Sequence, residues 1–421
     1  MEIEEIAKKI NKKGGTLYLV GGAVRDQILN RKNSDEDYCV TGISPDEFLE
    51  LFPNAIKKGK FFQVYEIAGK EFAMARKEQK IPNLENGHNN FLITTDKTIT
   101  IEEDLARRDI TINSIAKNVL TNEIIDPFDG CKDIKNKIIR ATTQAFKEDP
   151  LRVYRVARIA AQLKFNVDTN TIKMMCMIKP ELYTLSPERV FQELKKALNT
   201  EEPSIFFEIL KQADVLEVHF KEINNLIGAE QPIKYHPEGD AYNHTMQVLD
   251  YTANKNKQYE VLFAALAHDF GKGVTPKEEY PHHHNHEISG VKLVWELGNR
   301  IKIPISWRKA GETACREHMR GGIFYDMTPG KQVSFIERVS KTVLGLDGLQ
   351  VIVDADRLSR KDKKEITNTE KEKIQFASIG KKCIQEINGK YIIEKYGLQQ
   401  GIELGEKLHQ ERIEWIKNNI K

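Results

Sequence analysis

The sequence predicts an α+β chain, a small mixed sheet at the front followed by an all-α body. Two observations carry this. Leu17-Tyr18-Leu19-Val20 and Tyr38-Cys39-Val40 are short apolar runs of strand character, separated by a glycine pair and a helical stretch. Beyond about residue 141 the apolar period becomes helical, in VYRVARIAAQL, VFQELKKAL and LQVIVDADRL. A length of 421 residues suits two to four modules. The expected modules are 1–140, 141–225, 226–360 and 361–421.

Hydrophobic residues at 40% and charged residues at 30% fit a globular protein. Lys+Arg 64 against Asp+Glu 62 gives +2, so any nucleic-acid surface must come from local clustering. No apolar run approaches a membrane span, and no membrane partner is expected. MEIEEIAKKINKKGG lacks the apolar core of a signal peptide. Cys39, Cys131, Cys176, Cys315 and Cys383 are scattered and form no CxxC, which points to a reduced, cytoplasmic chain.

Met1–Lys12 reads as a leading helix. The run Leu17–Val20 ends at Gly21-Gly22, where the backbone can approach a ligand closely and amides can face a phosphate. Ala23–Leu29 reads as a helix with Arg25 in its first turn. Asp35-Glu36-Asp37 then enters a strand. Residues i and i+2 face one side, so Asp35 and Asp37 aim at one point and Glu36 points away. A glycine-lined phosphate site beside two carboxylates suits a magnesium–nucleotide complex. Either half alone reads better as a chance Gly-Gly or a solvated acidic turn. Ser44-Pro45-Asp46-Glu47 looks like a helix start. Phe61–Ile67 and Glu71–Ala75 form an expected hairpin, and Arg76 to about Thr98 an expected loop near the site. Glu102–Ala116 reads as one helix headed by Arg107-Arg108-Asp109. Two guanidiniums can neutralise a triphosphate, although RRD alone also suits a surface charge cluster. Asp126–Gly130 is an expected turn and Asp133–Ile139 a short strand.

Taken together, the strand–GG–helix–turn–DxD–strand order resembles the nucleotidyltransferase superfamily of the tRNA CCA-adding enzymes and bacterial poly(A) polymerases. RRDITINSIA is similar to that family's second motif. The resemblance implies that Asp35 and Asp37 are the catalytic pair and hold Mg2+. It implies that Gly21, Gly22 and Arg25 hold triphosphate and ribose, and that Arg107, Arg108, Asp109 and Asn113 contact the nucleotide.

A further helix is expected from about Phe146, capped by Asp149 with Pro150 in its first turn. Asp149 and Arg152 then share a face, continued by Arg155 and Arg158. Cytosine and adenine each present an exocyclic amine beside a bare ring nitrogen, which a carboxylate and a guanidinium can read. Guanine and uracil present the opposite donor–acceptor sense. Spacing alone leaves an ordinary cap and ion pair equally open. EDPLRVYRVAR resembles the family's nucleotide-selecting motif, which places Asp149 and Arg152 on its selecting positions. Glu188 and Arg189 open the next helix, and either brace the selecting one or cap their own.

In the second half, His244 lies on one amphipathic helix and His268-Asp269 end an apolar one, a plausible divalent-metal arrangement. Asp354-Ala355-Asp356 can supply another carboxylate. This H…HD…D order resembles the HD phosphohydrolase superfamily, which implies His244, His268, Asp269 and Asp356 as metal ligands, with Asp354 the weaker choice. His286 and His318, with Glu317 beside it, could add a second metal, and His282, His283 and His284 could also lie idle in solvent. The implied metal is of the Ni2+, Mn2+ or Co2+ class, or Mg2+. The implied chemistry is hydrolysis of phosphomonoesters or 2′,3′-cyclic phosphates.

Arg357–Lys364 is a basic run, and the last stretch reads as an amphipathic helix with Leu404, Leu408 and Trp415 on one stripe. Over its whole length the chain is similar to bacterial CCA-adding enzymes that carry an HD domain. That resemblance implies stepwise addition of C, C and A to the tRNA acceptor end from CTP and ATP, by a monomer or homodimer. The rivals are a poly(A) polymerase, an A-only or CC-only adding enzyme, a guanosine-tetraphosphate synthetase/hydrolase (whose domain order is usually the reverse), and a non-catalytic tRNA-binding protein.

Overall fold

A computed structural model of the chain describes residues 2–32, 36–58, 64–80, 91–234, 236–358 and 375–420. Asp35, Phe61, residues 81–90 of the expected loop and Ser359–Lys364 of the basic run lie outside the described residues. The chain divides into two compact units, 1–189 with 208–215 and 190–207 with 216–421. Among the described residues no helix is long and apolar enough to cross a membrane.

The strands of the first unit are β1 (Thr16–Val20), β2 (Asp37–Thr41), β3 (Ile56–Lys58), β4 (Val64–Ile67), β5 (Lys70–Met74), β6 (Lys77–Lys80), β7 (Phe91–Thr94), β8 (Ala116–Asn118), β9 (Ile124–Ile125), β10 (Ile138–Ile139) and β11 (Asn166–Val167). Seven of them form a mixed sheet in the order β3-β4-β5-β2-β1-β8-β9. β1 is antiparallel to β2 and β8, and β2 is parallel to β5. The register sets Val20 opposite both Asp37 and Ala116. The end of β1 and the starts of β2 and β8 therefore meet at one edge of the sheet. Gly21 leaves from that edge with φ +72°, a conformation that suits glycine, and its N–H donates to Ile115 O at 3.2 Å.

Two cores hold the sheet. Val20, Cys39, Leu105 and Ala116 cluster with Ile99 and Ile101. The Phe48 ring, from helix Pro45–Leu51, lies 5.1 Å from Tyr65 and 6.1 Å from Phe72. That helix starts at Ser44 with a reciprocal capping box. The Ser44 Oγ accepts from Glu47 N at 3.1 Å, and Glu47 Oε2 accepts from Ser44 N at 2.7 Å.

Several elements differ from their sequence reading. Glu102–Ala116 is not one helix. A helix spans Ile101–Ala106, a 3-10 turn Thr111–Asn113, and β8 begins at Ala116. Ile110, Ile112 and Ile115 are all fully buried, a β-branched spacing that does not keep to one helix face. Arg107-Arg108-Asp109 therefore follows a helix end instead of heading a helix. Asp126 accepts from Gly130 N and Cys131 N at 2.7 and 2.8 Å and starts helix Gly130–Asn136 where a strand is expected. The stretch 76–98 contains the β6–β7 hairpin. The helix expected from Phe146 begins at Arg152. A 3-10 turn covers Gln144–Glu148, and Asp149 is extended at φ −115°, as the residue before a proline prefers.

The second unit is helical throughout its described residues. Helix Tyr259–Ala267 is its axis, with Val261 through Ala267 all buried. Helices Ala241–Lys255, Ile305–Gly322 and Gly345–Leu358 pack on it. Its Val261, Ala264 and Ala265 join Phe324, Phe335, Ile352 and Phe376 in one core. The last helix, Ile402–Asn419, buries Ile416 and Arg412 rather than the Leu404–Leu408–Trp415 stripe. Arg412 is buried because it pairs with Glu337 at 2.8 Å.

Ser44→Ala removes one half of the capping box. It is expected to destabilise the first unit by about 1 kcal/mol, read as a lower midpoint of its transition in urea. An unchanged midpoint would mean that the cap is not stabilising that helix.

Candidate active sites

A cavity of about 430 Å3 opens at the sheet edge where Gly21 leaves β1. Gly21, Gly22 and Asp37 line one end. The lining also includes six arginines, Arg76, Arg107, Arg108, Arg152, Arg155 and Arg189, together with Glu71, Asp109, Asn113, Asp149 and apolar side chains from the sheet. A Cβ on Gly21 would stand 3.1 Å from Arg108 Nη1, so the glycine leaves room for that guanidinium.

Several of these arginines are held by carboxylates. Asp104 is fully buried. Its Oδ1 accepts from Arg107 Nε and Nη2 at 3.0 and 2.7 Å, and its Oδ2 from Arg108 Nε and Nη2 at 3.3 and 3.0 Å. Burial pushes the Asp104 carboxyl up, but Arg107 and Arg108 outweigh it and hold it at about 2. Asp109 is placed likewise. Arg155 donates to its Oδ2 through Nε and Nη2 at 2.8 and 2.7 Å. Burial opposes its ionisation, and Arg155 and Arg152 still keep it well below the usual carboxylate range. Sequence reasoning missed Asp104. Its signal is the spacing, three and four residues before a pair of arginines at a helix C-terminus.

The other sequence candidates fall as follows. Asn113 donates to Asp109 at 3.2 Å and accepts from Arg25 Nη1 at 2.8 Å. Arg25 is itself buried against Asp26 and is not among the residues lining the cavity. Arg25 gives Nε and Nη2 to Asp26 and Nη1 to Asn113, and through Asn113 it braces the wall. The Glu36 carboxylate turns to Lys70 and Tyr38. Asp149 and Arg152 both reach the cavity. Asp149 does not cap the helix by side chain. Its Oδ1 accepts from Leu151 N at 3.0 Å and its Oδ2 from Arg189 at 3.3 Å. Arg152 is buried and donates to Ala145 O and Arg107 O, both at 2.7 Å.

The second unit carries a different kind of site. His244, His268 and Asp356 form one group of candidate ligand atoms, and Asp269, His286 and His318 form another. His244 Nε2 lies 3.0 Å from Asp356 Oδ1, and His268 Nε2 lies 3.3 Å from Asp269 Oδ2. His286 and His318 approach Asp269 Oδ1 at 3.5 and 3.4 Å. His244 Nε2, His268 Nε2, His286 Nε2 and Asp269 Oδ1 are buried without a hydrogen bond. Buried polar atoms rarely stay unpaired, and orphaned imidazole nitrogens among carboxylates are a donor set that suits a divalent transition metal. Burial opposes ionisation of Asp269, yet Lys272 (2.6 Å away) and His268 keep it far below the usual range.

The remaining candidates of this unit are committed elsewhere. Glu317 does not join the groups, because Arg338 takes its carboxylate through Nε and Nη2 at 2.7 and 2.9 Å. Asp354 accepts from Gln350 at 2.9 Å. His283 bonds to Thr275 and Glu230 O, while His282 and His284 stack on each other. Lys272, which sequence reasoning missed, stands three residues after Asp269.

The fold and the two sites define a nucleotidyltransferase joined to an HD domain. The chain matches the poly A polymerase head domain over residues 17–140, "Probable RNA and SrmB- binding site of polymerase A" over 164–227 and the HD domain over 241–361. It is 42% identical to the multifunctional CCA protein of Mannheimia succiniciproducens over 313 residues, 72% of this chain and 73% of that protein. It is 40% identical to that of Herminiimonas arsenicoxydans, over 76% of this chain and 78% of that protein. The chain belongs to the multifunctional CCA protein family. Its fold is shared with a CCA-adding enzyme solved with ATP, at TM-score 0.63 and 20% identity, covering 98% of this chain and 88% of that one. The Thermotoga maritima CCA-adding enzyme complexed with tRNA matches at TM-score 0.63 and 18% identity, over 99% of this chain and 91% of that one.

Two predictions follow from these geometries. An Asp carboxyl near 3.9 when unfolded and about 2 when folded stabilises the fold fully above pH 4 and loses that contribution as pH falls toward 2. Asp104→Asn is expected to remove on the order of 2 kcal/mol at neutral pH and to flatten stability between pH 4 and 2 relative to wild type, measured by urea unfolding across pH. An unchanged acid limb would reject the Arg fork as its source. Gly271 stands where a Cβ would meet His286 O at 2.0 Å. Gly271→Ala is expected to cost at least about 1–3 kcal/mol by overpacking, seen as a lower melting temperature of the HD unit. Wild-type melting would show that the backbones separate freely.

Proposed function

We propose that the chain completes tRNA 3′ ends by adding C, C and A in turn from CTP and ATP without a template strand, and that its HD unit hydrolyses phosphate esters at RNA ends. The observation that carries the first half is the cavity that gathers Gly21, Asp37, six arginines and Asp149. In the proposed reaction the tRNA 3′-hydroxyl attacks the α-phosphate of the bound nucleotide and pyrophosphate leaves. Asp37, together with Asp35, would hold Mg2+, which when bound favours the ionised hydroxyl and neutralises the leaving oxygens. Arg107 and Arg108, already oriented by Asp104, bind the triphosphate, and Gly21 and Gly22 admit it close to the backbone. Asp149 accepts from the exocyclic amine of C or A. Arg152 uses two of its five N–H donors on main-chain carbonyls and keeps others for the bare ring nitrogen. Guanine and uracil would leave both groups facing a like partner.

In the HD unit, His244, His268, Asp269 and Asp356 would hold a divalent metal of the Ni2+, Mn2+ or Co2+ class or Mg2+, with His286 and His318 extending the set. A metal there polarises a phosphate ester and supplies an activated water. The buried Nε2 atoms of His244, His268 and His286 support this reading.

The test offers the purified chain, with magnesium, a tRNA lacking its 3′ CCA. Each of the four triphosphates is supplied singly and then CTP with ATP, and products are read at single-nucleotide resolution. Three additions and no more with CTP plus ATP, and none with GTP or UTP, are expected. A long A ladder would make the chain a poly(A) polymerase, and no addition would overturn the transferase reading. Asp37→Ala is expected to abolish addition and spare hydrolysis of a 2′,3′-cyclic phosphate, and His268→Ala to do the reverse. Loss of both activities in either folded variant would refute the two-site division.

A further inference from the structure

Each histidine of the HD cluster is anchored through one ring nitrogen, which leaves the other turned inward. His268 Nδ1 lies 2.7 Å from Ala265 O, His286 Nδ1 2.7 Å from His283 O, and His318 Nδ1 2.8 Å from Ala314 O. A carbonyl only accepts, so these three rings carry a proton on Nδ1, and Nε2 is the atom left to face the cluster. His244 is anchored differently. Its Nδ1 faces a side chain, Glu238 Oε1, at 2.7 Å.

Glu238 is built for that contact. Its side chain is 2% exposed, and its second oxygen, Oε2, is buried without a hydrogen bond. The same Oε1 lies 2.9 Å from His236 Nδ1, and the His236 and His244 rings stand 4.8 Å apart, edge to face. The loop that carries Glu238 is fastened two residues later. Asp240 caps the His244 helix through Asn243 N at 2.9 Å and accepts from Gly228 N at 2.8 Å. A buried carboxylate of this kind is costly unless hydrogen bonds satisfy it, and here the donors are two imidazoles.

We propose that Glu238 is a positioning residue of the HD centre. It holds His244 with the proton on Nδ1 and its Nε2 aimed at Asp356, and His236 is the second donor that keeps the carboxylate in place. His236, Glu238 and His244 also lie close enough to suggest a cation site of their own. A cation there would need the bare Nδ1 of His244, and the inward-facing ligand needs that nitrogen protonated. The positioning role is the one consistent with the orphaned Nε2. This inference rests on the reading of the HD cluster as a metal centre.

The test measures Mn2+ and Ni2+ affinity of the chelator-treated full chain by isothermal titration, alongside the melting temperature with and without metal. Glu238→Leu removes the acceptor and is expected to weaken binding roughly ten- to hundred-fold. Glu238→Gln keeps an acceptor oxygen of the same reach and is expected to restore most of that loss, with metal-free melting within a degree or two of wild type. Leu binding as tightly as wild type would overturn the positioning role. Gln as weak as Leu would also overturn it, because the effect would then follow charge and not the hydrogen bond. Wild-type protein that binds neither metal would instead refute the metal reading of the cluster, a result distinguishable from both.

Discussion

A carboxylate taken wholly out of water costs several kcal/mol unless charges and donors surround it. Asp104 meets that condition by gripping two arginines at once, one through each oxygen. The grip works in both directions. The arginines keep the buried charge ionised, and the carboxylate keeps two long, flexible cations in one place beside Gly21. A triphosphate entering the cavity then meets guanidiniums whose side-chain entropy has already been lost in folding. Asp109 repeats the device with Arg155, across the join between the sheet and the helix Arg152–Leu163. Six arginines gather on one cavity wall, with Asp104 behind them, so a chain of net charge near zero concentrates basic residues at one spot.

The HD cluster solves a different problem. Its outward ring nitrogens find hydrogen-bond partners, while the inward Nε2 atoms of His244, His268 and His286 crowd around carboxylates without making one. Lys272 offsets part of the charge on Asp269. The rest of the cluster is left short of positive charge, an arrangement that makes sense for a centre that takes a cation. Rigidity comes from the packing beneath it. Gly271 lets the turn after Asp269 lie against the start of the His286 helix, closer than any side chain would permit.

Much of this was legible in the sequence, and the residues that were not share a cause. Gly21-Gly22, Asp37 and the H…HD…D order are local patterns, and the structure brings each set together. Helix boundaries failed where tertiary burial overrode local period, as in the isoleucines of 110–115, which are buried on several faces and so break the helix expected there. Asp149 reads as a helix cap, but the helix begins only at Arg152, with Leu151 in the cap position, which leaves Asp149 two residues short of it. Arg25 matched a motif, but whether an arginine reaches a ligand or braces its neighbours depends on Asn113, far along the chain. Asp104 and Glu238 escaped because they act on other site residues, Asp104 on two arginines and Glu238 on His244. Their partners are the residues that motifs record, and a supporting residue is visible only once distances are known.

Arg152 links the two tasks of the first unit. It donates to the main-chain carbonyl of Arg107, whose side chain is bound to Asp104. The residue expected to read the base edge and the residue expected to hold the phosphates are thus fixed to one another by a bond that takes one guanidinium donor of Arg152 and leaves the Arg107 side chain untouched. The distance between base-reading and phosphate-holding groups is then set by the backbone, whichever base is bound. Cytosine and adenine differ in size but share the amine–nitrogen edge. A fixed distance from that edge to the phosphates serves both only if the rest of each ring projects into open space. On the proposed reading, discrimination rests on donor–acceptor sense at Asp149 and Arg152 and not on shape, as one rigid site that admits two bases and refuses the other two requires.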